Sequence, residues 1–291
     1  MSTHLPTFDL QSHSLHSDGA LAPRDVVTAA AQAGVQLLAL TDHDNVEGIP
    51  EASRAAAELK LRLVAAVEIS AIDPGRQDLH VLGYLIDDRD PVLRERLRGY
   101  RESRGLRADA IAHALGELGF ELDESSLRER RASGASIGRP HLAKAVVTHP
   151  ANAQRLQAEQ CLELSAFLVA YLIEGAPAFR PRDAPSVPDA IDAIHDAGGV
   201  AVWAHPFWDV EDPAAVLATI DRFCSHGLDG VECFYATHDR EQTELLADRC
   251  AELELLSTGS TDFHGPDHRQ FSRFRGFSTH GREPRLGPIA G

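Results

Sequence analysis

The chain of 291 residues is 43% hydrophobic and carries a formal net charge of -16. That length and apolar content suit one large domain, or one domain with an insertion, built around a sizeable core. The acidic balance argues against a duplex nucleic-acid partner, which needs many basic contacts to phosphates, and leaves room for a small phosphorylated substrate or a nucleic-acid end. The opening Met1-Ser2-Thr3-His4-Leu5-Pro6 lacks the basic and apolar runs of a signal peptide. No window approaches the roughly 18 uninterrupted apolar residues of a membrane span. The four cysteines, Cys161, Cys224, Cys233 and Cys250, form no C-x-x-C pair, which fits reduced, mostly buried thiols in a cytoplasmic protein.

Short apolar runs predict strands near Thr7–Ser12, Gln36–Thr41, Arg62–Ile69, Leu79–Leu85, Val200–Ala204, Gly230–Phe234 and Leu255–Gly259. Helical periodicity covers Pro23–Ala33, Pro50–Leu59, Val187–Ala197, Pro213–His226 and Asp239–Leu253. Alternating strands and helices imply parallel strands with helical crossovers, and seven strands suggest a closed or nearly closed α/β barrel. From about Asp90 to Pro181 the pattern is helical only, punctuated by Gly119-Phe120, Gly134, Gly138-Arg139-Pro140 and Pro150. The expected organisation is therefore a barrel domain over 1–90 and 181–291. A helical insertion over 91–180 would cap the active site, and the proline-rich Pro181–Pro188 would be the return linker.

Polar residues collect where the predicted strands end. The first is followed by Gln11, His13 and Asp18, and the second by Thr41-Asp42-His43-Asp44. The third ends in Val67-Glu68-Ile69, His80 lies on the fourth, and the fifth ends in Ala204-His205-Pro206. The seventh ends in Ser260-Thr261-Asp262-Phe263-His264-Gly265. Barrels of parallel strands build their active sites at the C-terminal ends of several strands. Histidine and carboxylate without thiolate suit Zn, Mn or Fe in a hydrolytic site. Taken singly, an Asp after a strand can be a helix N-cap, as Asp18 and Asp44 could be. Six strand ends carrying His, Asp or Glu point to metal.

These residues resemble the PHP (polymerase and histidinol phosphatase) family: His13-x4-Asp18-Gly19, Thr41-Asp42-His43-Asp44, Glu68, His80, Ala204-His205-Pro206 and Asp262-x-His264. The branch they look most like comprises stand-alone phosphoesterases, among them 3',5'-nucleoside bisphosphate phosphatases and 5'-to-3' exonucleases on short RNA. The resemblance implies a distorted seven-stranded TIM-like barrel with two or three divalent metals, Mn, Fe or Zn. It implies that Gln11, His13, Glu68 and Asp262 hold one metal. Glu68, His80 and His205 would hold a second, and Asp18, His43 and His264 a third. The family pattern usually begins His-x-His, and Gln11 departs from it. An amide oxygen is a neutral and weaker ligand than imidazole, so the first site is expected to be weaker, to select a different metal or to stay empty, with His16 as a poorly spaced substitute.

The insertion carries Arg94, Arg96, Arg98, Arg101, Arg104 and Arg107 in one helical stretch. Arg101 and Arg104 lie one turn apart. Arg139 and His141 open another predicted helix, where free N–H groups suit an anion. Guanidinium forks match phosphate oxygens, so Arg101, Arg104, Arg139 and His141 are expected to bind substrate, with Asp18 and His43 also within its reach. Arg94, Arg96 and Arg98 read as a solvated, ion-paired face. His238, after the sixth strand, is expected to face the pocket and is one choice for the leaving-group acid. Trp203 reads as packing, and Trp208 either packs or stacks on a base.

The expected activity is hydrolysis of a nucleotide phosphate ester, resembling that of a 3',5'-bisphosphate phosphatase. A hydroxide bridging two metals would attack phosphorus, with His205, Asp262, His264 and His238 as the catalytic set. A 5'-to-3' exonuclease acting on short RNA is the enzymatic alternative. A catalytically silent nucleotide- or metal-binding module, encouraged only by Gln11, is the alternative from another class.

Overall fold

The protein is described here by a computed structural model that covers residues 6–74, 76–132, 137–181 and 183–291. Gly134 and the opening Met1–Leu5 segment lie outside the described residues, as does residue 182 of the proline-rich return. The strands are β1 (Phe8–Asp9), β2 (Leu37–Leu40), β3 (Arg62–Asp73), β4 (Arg76–Tyr84), β5 (Val200–Trp203), β6 (Gly230–Tyr235) and β7 (Leu256–Ser260). The helices are α1 (Pro23–Gln32), α2 (Ile49–Leu59), α3 (Pro91–Glu117), α4 (Glu124–Ala132), α5 (Arg139–Val147), α6 (Ala153–Ala158), α7 (Leu164–Phe167), α8 (Val187–Asp196), α9 (Pro206–Asp209), α10 (Pro213–Cys224) and α11 (Arg240–Glu252).

Local chemistry accounts for the helix starts. Pro23 begins α1, which buries Val26, Val27 and Ala30 at helical spacing. Ser186 and Asp189 form a capping box at the head of α8, and Asp239 with Gln242 does the same for α11. The Asp212 side chain accepts the Ala215 amide at the start of α10.

The seven strands form one sheet in sequence order. It nearly closes into a barrel where the first strand meets the last: the Leu10 amide donates to Gly259 O at 3.2 Å, and His13 N donates to Phe263 O at 2.8 Å. The fold is thus a distorted seven-stranded TIM-like barrel. The expectation of uniformly parallel strands is corrected at β4, which runs antiparallel to both β3 and β5. Parallel neighbours need a crossover of a dozen or more residues. The short connection after Asp73 leaves no room for one, so the chain turns straight back. The first strand is also shorter than Thr7–Ser12. Phe8 and Asp9 pair with β2, after which Leu10 and Ser12 take partners at Gly259 and Phe263 instead.

Two compact units divide the chain, residues Met1–Arg98 with Pro185–Gly291 and residues Gly99–Ala184. The first holds the sheet, with Val26, Val27, Leu38, Leu40, Phe263 and Phe274 in one of its cores. Every element described in the second is helical, and its core gathers Phe120, Leu142, Leu156, Phe167 and Leu172. The Arg155 guanidinium lies 3.9 Å from the Phe120 ring centroid there.

Strand packing at the barrel seam leaves no room beside Gly259, where a Cβ would stand 2.5 Å from both Cβ and O of Phe234. Gly259→Ala is therefore expected to lower stability by about 1–3 kcal/mol through overpacking. Denaturant unfolding checks this, and an unchanged midpoint would show that the seam yields.

Candidate metal centre

Strand ends deliver the polar side chains, and hydrogen bonds fix their aim. After β1 the chain passes through Gln11, Ser12 and His13 and folds into a tight loop to Gly19. Asp42 clamps that loop, accepting Ser14 N at 2.7 Å, Ser14 Oγ at 2.7 Å and Ser17 Oγ at 2.6 Å. Gly19 allows it to close: a Cβ there would lie 2.2 Å from the His13 carbonyl oxygen. His13 and Asp18 are thereby brought within 3.4 Å of each other, Nδ1 to Oδ1. His43 pairs alongside Glu68, with the following Asp44 amide donating to Glu68 O at 2.8 Å. At the far seam, buried Asp9 accepts Thr261 N, Thr261 Oγ1 and Arg275 N at 2.6–2.9 Å. That anchors the segment carrying Asp262 and His264. Burial pushes the Asp9 carboxyl up to about 7, although the bonds from Thr261 and Arg275 oppose it.

The antiparallel course of β4 explains the position of His80. Because β4 runs backwards, the site end of the sheet falls toward its beginning, where His80 stands opposite Ser70. His80 Nδ1 lies 2.9 Å from Glu68 Oε1, and His205 Nε2 lies 3.3 Å from the same oxygen. The other oxygen, Glu68 Oε2, lies 3.0 Å from His13 Nε2 and 3.5 Å from His43 Nδ1. Asp262 Oδ1 is 3.0 Å from His13 Nε2. His264 donates from Nδ1 to the Asp262 carbonyl at 2.7 Å, which turns its Nε2 toward Asp18 Oδ1 at 3.4 Å. Three non-glycine residues at these strand ends have positive φ, namely Asp44 at 50°, His205 at 29° and Asp262 at 54°. Such backbone costs on the order of 1–3 kcal/mol per residue and concentrates at functional sites.

Three groups of potential ligand atoms result: His13, Asp18, His43 and His264; His43, Glu68 and His80; and His13, Glu68 and Asp262. Within each, one atom per residue lies within 4.8 Å of the others. His205 touches the second group through Glu68 and His80, its Nε2 being 3.3 Å from His80 Nδ1. Five buried atoms of the cluster, His13 Nε2, Asp18 Oδ1, His43 Nδ1, Glu68 Oε2 and Asp262 Oδ1, face other ligand atoms of it at 3.0–3.5 Å but lack a well-aligned hydrogen bond among the described residues. Buried polar atoms of native proteins are nearly always satisfied. Neutral imidazole and carboxylate donors converging at this spacing fit divalent cations. Burial opposes charge on His13 and His205, but Asp262 and Glu68 raise His13 well above the ordinary imidazole value, and Glu68 and Asp209 raise His205 to about 10. Burial likewise opposes charge on Glu68, yet the imidazoles, His43 and His80 foremost, hold it well below the usual carboxylate range.

Gln11 is wholly buried, with Ser260 Oγ 3.3 Å from its Oε1 and no hydrogen-bond partner for its Nε2 among the described residues. His16 joins none of the three groups. His238 is buried; its Nδ1 is 3.1 Å from Cys233 O, its Nε2 has no partner, and burial lowers it to about 4. Burial holds the ring in its neutral form, against the opposing pull of the Cys233 carbonyl beside Nδ1. Trp203 is core, packed edge-on against Phe223, whereas Trp208 is 54% exposed. Arg101 and Arg104 lie on α3, and Arg139 and His141 in the first turn of α5, all in the second unit. His141 Nδ1 accepts the Gly138 amide at 3.0 Å. The histidine–carboxylate groups themselves are drawn wholly from the first unit. Of the surface arginines, Arg96 pairs with Asp196 and Arg98 with Glu95.

Glu232 and Tyr235 are absent from the expected site, yet both support it. Glu232 accepts His205 N at 3.0 Å and Ser260 Oγ at 2.6 Å, and burial raises it to about 8 against the pull of His205. Tyr235 donates to Asp262 Oδ2 at 2.8 Å. A bulge at Cys233 lets residues three apart serve the same site. The one sequence signal was a glutamate inside the apolar run Gly230-Val231-Glu232-Cys233-Phe234.

Comparison with known proteins matches residues 9–129 to the PHP domain family. The chain is 32% identical over 259 residues to a 5'-3' exoribonuclease of Haemophilus influenzae, spanning 89% of this chain and 90% of that one. It is 30% identical over 262 residues to a 3',5'-nucleoside bisphosphate phosphatase of Chromobacterium violaceum, spanning 90% and 88%. A solved Chromobacterium violaceum structure with bound sulfate, described as an amidohydrolase, superposes with a TM-score of 0.78 at 28% identity, covering 98% of this chain and 93% of that one.

Glu68 belongs to two of the three ligand groups and Asp18 to one. Glu68→Gln is accordingly expected to lower bound manganese per chain more than Asp18→Asn does, read by elemental analysis of folded protein. Equal losses would contradict the shared role of Glu68.

Proposed function

The chain belongs to the PHP family of metal-dependent phosphoesterases, and on that premise we propose that it hydrolyses a phosphate ester of a nucleotide, resembling a nucleoside 3',5'-bisphosphate. The observation that carries this reading is the buried cluster around Glu68, where five donor atoms converge without well-aligned hydrogen bonds among the described residues. The relatives named for a nucleoside bisphosphate phosphatase and an exoribonuclease share nearly the whole chain with it. Sulfate, bound by the solved relative, is a tetrahedral anion with the shape of a phosphoryl group.

His13, Glu68 and Asp262, with Gln11 beside His13 in the chain, would hold one cation. Glu68, His80 and His205 would hold a second, and Asp18, His43 and His264 a third. When bound, divalent metals supply an activated water and neutralise phosphoryl oxygens. Every other contribution is the protein's own. Glu68 spans two groups and fixes their separation. Tyr235 and Glu232 hold Asp262 and His205 in place. Asp18 and His43, at the less buried side of the cluster, would face the substrate as well as the metal. The guanidinium chemistry of Arg101 and Arg104 on α3, and of Arg139 beside His141 in the first turn of α5, supports their holding a phosphate group.

The more extended substrate, a short RNA processed from its 5' end, is favoured by the exoribonuclease relative. Comparing turnover of adenosine 3',5'-bisphosphate with that of a 5'-phosphorylated trinucleotide separates the two.

Phosphate release from adenosine 3',5'-bisphosphate is expected to disappear on chelation and return with manganese. His205→Ala is expected to lower kcat by on the order of 100-fold or more, since metal-assisted charge stabilisation is worth several kcal/mol. Wild-type turnover by the folded variant would contradict the mechanism.

A further inference from the structure

Beside the metal-ligand cluster the first unit presents a continuous set of aromatic rings that none of the roles above uses. Trp208 follows His205 by three residues, and its ring lies 6.5 Å from the His205 ring. It leans on Phe271, centroid to centroid 5.7 Å. Phe271 lies 5.8 Å from the His264 ring and 5.9 Å from that of Tyr235, and His268 stacks on it at 5.2 Å with an interplanar angle of 15°. The rings thus run from one candidate ligand, His205, to another, His264. Phe271 is buried beneath, whereas Trp208 and His268 are exposed.

The local backbone holds this wall in place. His264 N donates to Phe271 O at 2.9 Å, and His268 N donates to Gly265 O at 3.1 Å. His268 Nδ1 accepts the Phe271 amide at 2.9 Å. An indole with more than half its surface in water, seated on a buried phenyl ring and next to a candidate catalytic cluster, is a poor core residue and a good platform.

We infer that Trp208 and His268, backed by Phe271, form the subsite that stacks the base of a nucleotide whose phosphate lies at the Glu68 cluster. This rests on the nucleotide phosphoesterase reading and assigns its selectivity to named residues. The Trp208 ring lies 6.5 Å from the His205 ring and the Phe271 ring 5.8 Å from the His264 ring, so the wall directly adjoins the cluster. Stacking on aromatic side chains is the interaction that every base can make, and it tolerates differences among them. The wall therefore selects for a base being present, not for which base it is.

Two measurements test it. The first compares kcat/KM for adenosine 5'-monophosphate and ribose 5-phosphate in wild type, Trp208→Ala and Trp208→Phe. In Trp208→Ala the preference for the nucleotide is expected to fall about tenfold, the scale of one lost base stack, chiefly through KM. Trp208→Phe is expected to recover most of it. The second follows tryptophan fluorescence of the intact protein. Adenosine monophosphate is expected to quench Trp208 and ribose 5-phosphate is not, and the signal is expected to vanish in Trp208→Phe, because Trp203 is wholly buried. An unchanged preference in Trp208→Ala would overturn the inference, as would an equal loss with both substrates. If neither ester is hydrolysed, the phosphoesterase reading of these substrates fails, and fluorescence alone decides: quenching by the nucleotide supports the wall, and its absence overturns it.

Discussion

Removing a carboxylate from water costs several kcal/mol unless positive charge or hydrogen bonds replace the lost hydration. Glu68 has no exposed surface and is met by imidazoles from four separate segments: His13, His43, His80 and His205. Those segments follow β1 and β2, lie on β4, and follow β5. One buried charge therefore demands that the barrel close correctly, and the barrel in turn brings the histidines to one place. Divalent cations answer that demand better than protons, because each can bind an oxygen of Glu68 and several ring nitrogens together.

Around this centre, other buried carboxylates position instead of binding. Asp42 gathers the loop that carries His13 and Asp18. Asp9 ties the Asp262 segment to β1 across the seam, and Glu232 holds the backbone of His205. The positive φ values of Asp44, His205 and Asp262 show that the strand ends are bent to aim side chains, at an energetic cost the surrounding hydrogen bonds offset. Chemistry and stability are thus linked through the same few residues. A change in a positioning carboxylate would disturb ligand geometry without touching a ligand.

Much of this was legible in the sequence. Apolar runs marked all seven strands, and proline, serine and aspartate marked the helix starts. The strand-end positions of His13, Asp18, His43, Glu68, His80, His205, Asp262 and His264 single these residues out, and the structure brings them together around Glu68. The direction of β4 was not legible, because a hydrophobic run reads the same in either direction and only the shortness of its connection to β3 forbids a crossover. Tyr235 and Glu232 stayed hidden for a related reason. The bulge at Cys233 breaks the period of two on which face assignment depends. Asp9 belongs to no motif, and Asp42 stands out only within Thr41-Asp42-His43-Asp44, since their positioning work lies in contacts with segments up to 266 residues away. The stacking wall joins Trp208 to residues some sixty positions later, which no local pattern reveals.

The most direct test is a crystal soaked in manganese and measured for anomalous scattering. The account predicts at least two peaks, one on each side of the Glu68 carboxylate, within bonding distance of His13 or His43 on one side and of His80 and His205 on the other. A fully soaked crystal with no peak beside Glu68 would contradict it.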